Sequence, residues 1–448
     1  MPKTVIELLI KNMKSLLWSP QKGWRLEVTD IAVDQGKILD VGLGLSYVAH
    51  KELHFPNIVV LPGLIDSQVH FREPGYEHKE DLYSGSKAAL LGGITTVFEM
   101  PNTNPPTITR QLLDDKFNRA KGRMFVNYAF YGGGTKDNAS SICDMEDHPS
   151  CPGIKVFMGS SFGPMLIDQE EALSQILQRT QKPLTVHAED ETILQKNKSE
   201  LNPNSVIQHP QWRSEESCLS ATKRAVNLAR QLNKRVHILH VTTAQEVEFL
   251  RQNRDIATFE VLPQHLTLYA PDCYHELGTL AQQNPPIRDK NHQEALWRAV
   301  NNGWVTTLGS DHAPHTLEEK KRPYPQSPSG IPGVQTLLPI MLDHVNHNRL
   351  SLERLVDLMT IGVIRVFNLK NKGIIRPGFD ADFTLVDLNK MWTIDNKDMA
   401  SKCRWTPFHG KRVKGAVFAV IIGGHLCYQE GEILTEPMGQ PAYFSNTK

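Results

Sequence analysis

Two polar side chains, Gln68 and His70, close an apolar run in the stretch DSQVHFREPG, residues 66–75. A spacing of two puts both on one face of an extended strand. Four further groups able to do chemistry sit at or near the ends of other apolar runs: Lys155 in GIKVFMGS, His187 in TVHAED, His240 in HILHVTT and Asp311 in GSDHAPH. Imidazole and carboxylate are suitable ligands for Zn²⁺. Taken singly, each has a plainer reading. A strand-end histidine is commonly structural, Asp311 could cap a helix, and Lys155 could form a salt bridge to Asp311. A lysine inside an apolar strand is the odd member, because an unpaired buried ammonium is costly and demands a partner or a modification. Coincidence decides the matter. Three His, one Lys and one Asp fall at the same end of five different runs, which predicts a shared metal site.

The elements that must position these groups alternate along the middle of the chain. Eight β-like runs can be read: GLIDSQVHF, ITTVFEM, MFVNYAF, IKVFMG, LTVHAE, VHILHVT, ATFEVL and WVTTLGS. Between most of them lie segments with apolar residues recurring at three and four, such as TRQLLDDKFNRAKG, DQEEALSQILQRTQ, EESCLSATKRAVNLARQLN and NHQEALWRAVNN. Strand–helix alternation implies parallel strands with right-handed crossovers. Eight units of this kind predict an α/β fold, a (β/α)8 TIM-type barrel whose active groups gather at the C-terminal ends of its strands. A doubly wound sheet is the alternative, but no GxGxxG opens its first turn. Short strands at the start (TVIELLI, DIAVDQ, KILDVG, NIVVL) and at the end (DADFTLVDL, GAVFAVIIGGHLCYQEGEIL) predict a small β-sandwich-like domain built from both termini. The expected division is residues 1–60 and 370–448 for that domain and 61–369 for the barrel.

Composition narrows the function class. The 448 residues carry 49 basic and 49 acidic side chains, a formal net charge of zero. This argues against nucleic acid or an anionic membrane as the main partner. Six cysteines, none in a CxxC pair, suit a reducing cytoplasm. The opening MPKTVIELLIKNMKSLLW interrupts its apolar residues with Lys and Asn, unlike a signal peptide. No apolar run approaches the roughly 18 residues of a membrane span.

Seven segments carry a family resemblance over nearly the whole chain: GLIDSQVHFREPG, GGITTVFEMPNTNP, GIKVFMGSS, VHAED, HILHVTTA, NPPIR and GSDHAPHT. The chain resembles the dihydroorotases of the amidohydrolase superfamily, and REPG followed by MPNTNP is fairly specific to them among cyclic amidohydrolases. The resemblance implies a carboxylated Lys155 bridging zinc ions, one or two in number. His187 and His240 would hold one metal, and His70 and Asp311 would help hold the other. It implies Asp311 as the proton-transferring catalytic residue, with Arg72, Asn102, Asn284 and His315 as substrate contacts. It also suggests a homodimer and possible association with aspartate transcarbamoylase. The rivals are a hydantoinase- or allantoinase-type ureide hydrolase and a catalytically impaired scaffold subunit.

Two departures from the family pattern stand out. Gln68 replaces the usual His of a His-x-His pair, and an amide is a poorer zinc ligand than imidazole. Gln264 in VLPQHL stands where relatives often have His, suggesting remodelling in a second place. The plainer reading of Arg72 is a salt bridge to Glu73 or Glu77, and of Asn284 a turn residue before Pro285. His312 adjoins Asp311 and would point away from the site if the strand continues. The long segment 315–333 is either a lid or a solvated loop, with Glu318–Arg322 expected to face solvent.

Overall fold

The computed structural model describes residues 5–159 and 165–445, so Ser160 and Ser161 of the GIKVFMGSS run lie outside the described residues. Each of the eight β-like runs contains a strand: Leu64–Val69, Ile94–Glu99, Asn127–Phe130, Ile154–Phe157, Leu184–His187, Val236–Ile238, Ala257–Val261 and Thr307–Leu308. They form because the runs are apolar and bounded by Gly, Pro or polar residues. All neighbouring pairs are parallel. The ring closes at two seams. The third strand continues into Gly132–Gly133, which pairs with the fourth. At the other seam the His70 amide donates to the His312 carbonyl at 2.8 Å, and Val69 bridges His312 in parallel. The result is a (β/α)8 barrel.

The helical segments fold as their periodicity predicts: Arg110–Ala120, Glu170–Arg179, Glu215–Gln231 and Lys290–Asn301. Each begins where a side chain or a charge can satisfy free amides. Ser214 accepts from the Ser217 amide, and Asp289 accepts from Asn291 and His292. The inward stripe of the third helix, Ala221, Ala225, Val226 and Ala229, joins one continuous apolar core with barrel residues such as Val186, Val236 and Phe259.

Both termini share one nine-stranded sheet. Its hinge is Val59–Pro62, parallel to Val5–Ser19 and antiparallel to Phe383–Thr393. The Gly423-Gly424 hairpin forms as expected, with both glycines at positive φ (54° and 80°) and Ile422 opposite His425. The first strand runs well past TVIELLI to Ser19, and an additional strand covers Val48–Leu53. A register shift between Ile10 and Met13, with Asn12 at φ 52°, breaks the alternation that would have revealed this extension.

Candidate active site

The site is built from the C-terminal ends of the strands. Gln68 and His70 project from the first, Lys155 from the fourth and His187 from the fifth; His240 and Asp311 follow the sixth and the eighth. All six line one cavity of about 770 Å³. Arg72, Asn102, Asn284 and His315 line the same cavity, so every side chain singled out in the sequence as a site residue is gathered there. Three of them, Arg72 (φ 66°), His240 (φ 37°) and Asp311 (φ 44°), hold left-handed backbone. Such a conformation costs a non-glycine residue about 1–3 kcal/mol and concentrates at functional sites.

The two motifs REPG and MPNTNP prove to be one unit. The Asn104 amide donates to the Pro74 carbonyl at 2.9 Å. A Cβ on Gly75 would lie 2.2 Å from the Asn104 carbonyl oxygen, so only glycine allows the loops to meet. Arg72 and Asn102, carried by these two joined loops, both line the cavity.

Arg72 does not pair with Glu73 or Glu77. Glu73 is taken by Arg123 in two hydrogen bonds of 2.6 and 3.0 Å, and Glu77 accepts from the Gly75 amide. The Arg72 guanidinium donates instead to the Pro314 carbonyl and lies 3.3 Å from His315 Nε2. Among the described residues no carboxylate forms an ion pair with it. A half-buried guanidinium of this kind on a cavity wall has the planar fork that suits an anion.

Asn102 Oδ1 lies 2.7 Å from His70 Nδ1, so Asn102 orients an imidazole as well as facing the cavity. Asn284 accepts from His209 Nε2 at 3.1 Å. His312 turns away from the cavity: its Nε2 lies 3.3 Å from Glu80, and its Nδ1 accepts from the Gly333 amide. Gln264 donates to the Ser310 carbonyl at 2.8 Å, supporting the chain just before Asp311 without lining the cavity. Asp311 is not a helix cap; the next helix, Leu317–Lys320, is capped by Thr316.

The charge run in the 315–333 segment needs correction. Lys320 is fully buried, and its ammonium donates to the carbonyls of Gln282, Pro328 and Gly330 at 2.9–3.0 Å. Glu319 pairs with Lys79 at 3.1 Å. A single short helical turn sends these two side chains inward and leaves Glu318, Lys321 and Arg322 exposed. The segment is thereby pinned, and Ser327 to Gly330 form part of the cavity wall.

The chemically active groups are mutually close. Lys155 is a charged neighbour of His187, His240 and Asp311 alike. Its ammonium nitrogen is buried without a hydrogen-bond partner, and it does not form the salt bridge to Asp311 that the plainer reading supposed. Burial pulls its pKa down to about 7, against the opposing pull of Asp311 and Glu260. A neutral amine is therefore accessible near neutrality. Burial also lowers the pKa of His70, His187 and His240. Burial pushes the Asp311 carboxyl up, but His70, His240 and Lys155 outweigh it and hold the group well below the usual carboxylate range.

The residues fit a cation. His187 Nε2 donates to Glu189 at 2.8 Å, which leaves the Nδ1 lone pair facing His240 Nε2 at 3.0 Å. Two nitrogens bound to one tetrahedral zinc at 2.0–2.1 Å stand about 3.3–3.4 Å apart, within a few tenths of this spacing. Among the described residues no three His, Cys, Asp or Glu side chains converge as a set. The groups stand in pairs, His187 with His240 and His70 with Asp311, and Lys155 is the shared neighbour able to supply a further donor.

Sequence reasoning missed the supports. Glu189 takes two hydrogen bonds from Arg213, at 2.9 and 2.6 Å, while it orients His187. Burial pushes the Glu189 carboxyl up, and Arg213 and His187 outweigh it, so it remains ionised. Its place two residues after His187 was a readable same-face signal; Arg213, just past the short helix His209–Trp212, gave none. Lys79, 3.1 Å from His315 Nδ1, was equally silent.

Comparison with known proteins follows the same lines. Residues 59–427 match the sequence profile described as the Amidohydrolase family. The chain is 35% identical over 413 residues to a dihydroorotase of Pyrococcus furiosus, covering 92% of this chain and 91% of that one. It is 37% identical over 412 residues to the dihydroorotase of Pyrococcus abyssi, covering 92% and 93%. Among solved structures it resembles the L-hydantoinase (dihydropyrimidinase) of Arthrobacter aurescens, with a TM-score of 0.93, 29% identity and coverage of 98% and 100%.

Proposed function

We propose that this chain, which belongs to the amidohydrolase family and is a hydrolase of cyclic amides, acts as a dihydroorotase, interconverting dihydroorotate and N-carbamoyl-L-aspartate. Family membership implies a metal-dependent enzyme; zinc, in one or two ions, is our assignment. His187, His240, His70 and Asp311 would hold it, together with Lys155 as its carbamate. A carbamate forms from a neutral amine and CO₂, and the depressed basicity and missing partner of Lys155 favour that chemistry. When bound, the cation supplies a water acidic enough to act as hydroxide near neutral pH and polarises the ring carbonyl.

The protein's own groups do the rest. Arg72 binds the substrate carboxylate through its planar fork, with Asn102 and His315 beside it and Asn284 facing the ring. Asp311, ionised and aimed into the cavity, takes a proton from the attacking water and hands it to the leaving ring nitrogen. In the reverse direction it first takes the proton from the attacking ureido nitrogen and then returns it to the departing oxygen. Ring closure consumes one proton and one carboxylate, so the equilibrium shifts toward dihydroorotate by about tenfold per unit fall in pH.

The observation that carries the substrate assignment is the unpaired Arg72 guanidinium on the cavity wall. Neutral hydantoins and dihydropyrimidines offer it no carboxylate. The test is turnover of dihydroorotate against dihydrouracil and hydantoin, in the wild type and in Arg72→Ala. Loss confined to dihydroorotate supports the proposal; a wild type that prefers neutral rings overturns it in favour of a hydantoinase. The scaffold alternative predicts no turnover after zinc and bicarbonate are supplied. A cytoplasmic location suits the six free thiols, and among the described residues no helix is long and apolar enough to cross a membrane. A homodimer, and association with aspartate transcarbamoylase, complete the proposal.

A further inference from the structure

We propose that the chain retains a single divalent cation, on the side of the cavity formed by His187, His240 and Lys155, and that Gln68 closes the opposite side with hydrogen bonds in place of a second ion. The inference rests on the metal-dependent reading above.

The two sides differ in what their atoms lack. On the first side the buried groups are unfinished by protein alone. Glu189 fixes the proton of His187 on Nε2, so Nδ1 presents a lone pair to His240 Nε2 at 3.0 Å. If His240 carries its proton on Nε2, its Nδ1 is a buried acceptor with no partner. If the proton is on Nδ1, two lone pairs oppose each other across the gap. Either tautomer leaves an atom unsatisfied. Lys155 Nζ, buried with no hydrogen-bond partner, is a neighbour of both imidazoles as well as of Asp311. A cation between the imidazoles takes up both facing lone pairs, with the His240 proton on Nδ1, and a carbamate on Lys155 gives that nitrogen a role beside it.

On the second side protons already suffice. The Gln68 amide donates to Asp311 Oδ1 at 2.9 Å, and His70 Nε2 faces the same oxygen at 3.1 Å. His70 Nδ1 meets the Asn102 amide, which can present either its oxygen or its NH2 and so satisfies the ring in either protonation state. The chain Gln68, Asp311, His70, Asn102 is closed without an ion. It also supplies only one imidazole, against two on the first side. The one atom left over is Gln68 Oε1, which has no hydrogen-bond partner. Turning the amide to use that oxygen would remove the N–H from Asp311 and set two acceptors against each other.

The deciding measurement is zinc stoichiometry. The apo chain is reloaded with excess zinc and bicarbonate, dialysed against metal-free buffer and subjected to elemental analysis, with dihydroorotate turnover read on the same samples. The expected result is one zinc per chain in the wild type, one in Gln68→Ala, and two in Gln68→His, a doubling produced by restoring a second imidazole. Two ions in the wild type overturn the inference, and so does a Gln68→Ala chain that loses its ion. One ion in a folded Gln68→His chain overturns the part assigned to Gln68. If that variant does not fold, the wild type and Gln68→Ala still decide the count. A wild type that retains no zinc overturns this inference, and if it still opens dihydroorotate the zinc assignment falls with it while the substrate assignment stands; one zinc without turnover leaves this inference standing and overturns the substrate assignment.

Discussion

Two buried lysines show how differently this molecule treats its two halves. Lys372, at the junction between the terminal sheet and the barrel, bridges Asp380 at 2.8 Å and Asp382 at 2.7 Å. Asp382 also accepts from Asn127 on the third barrel strand and from the Gly423 amide of the hairpin, at 2.9 and 2.8 Å. The junction is complete in itself. Lys155, on the barrel rim, is as deeply buried and has no hydrogen-bond partner. Burying an ammonium without a partner is unfavourable, and the contrast teaches that the rim is arranged for a group the polypeptide does not contain. The left-handed residues reinforce it: Arg72, His240 and Asp311 hold strained backbone at the rim, and beyond the asparagines only Gln35, Arg404 and Glu430 do so elsewhere among the described non-glycine residues.

The sharpest way to break this comparison is to exchange both lysines for methionine, which fills similar space without charge. Lys155→Met should abolish ring opening, by about 10³-fold or more, as should Asp311→Asn through loss of proton transfer. Yet the metal-free Lys155→Met chain should unfold at equal or higher denaturant concentration than the wild type, since it loses an unpaired charge. Lys372→Met should do the reverse. Removing the ammonium from Asp382, and leaving Asp380 with Lys37 alone, should cost about 3 kcal/mol of unfolding free energy, with kcat/KM of the folded enzyme unchanged. Opposite outcomes in denaturant titrations would end the distinction.

A smaller effect separates the anion receptor from its surroundings. Arg72→Lys keeps the charge but loses the fork, and should cost about 2 kcal/mol, roughly thirtyfold in kcat/KM for dihydroorotate. Dihydrouracil turnover should change little.

The smallest effect concerns pH. Burial pushes the Asp380 carboxyl up, but Lys372 and Lys37 outweigh it and leave its pKa lowered. A lowered carboxyl contributes stability above its ordinary range and loses it as pH falls through its folded value. The stability gap between wild type and Lys372→Met should therefore narrow in acid, by about 1 kcal/mol. Because burial lowers the Lys372 pKa while Asp382 and Asp380 raise it further, the gap should persist as pH rises until that ammonium deprotonates. Unfolding curves at pH 3, 5 and 9 would show this.

Much of this was legible along the chain. The barrel strands are largely apolar runs between breakers, the helices keep their period, and His70, Lys155, His187, His240 and Asp311 end or interrupt those runs. These are local patterns, set by side-chain alternation and by the cost of burying polar groups. What stayed hidden was pairing. Glu73 sits beside Arg72 in sequence but binds Arg123, fifty residues on. Asn102 read as a substrate contact and turned out also to hold His70. Lys320 read as solvated and turned inward to three carbonyls.

Sequence alone therefore determined which elements form, their alternation, and which residue types stand at their ends. Tertiary structure decided which of those residues meet, which stay unpaired, and what Gln68 does opposite His70. Closing the barrel joins side chains from strands hundreds of residues apart. Hydrogen bonds act over about 3 Å, so a partner is fixed only once that closure has brought its atoms within reach.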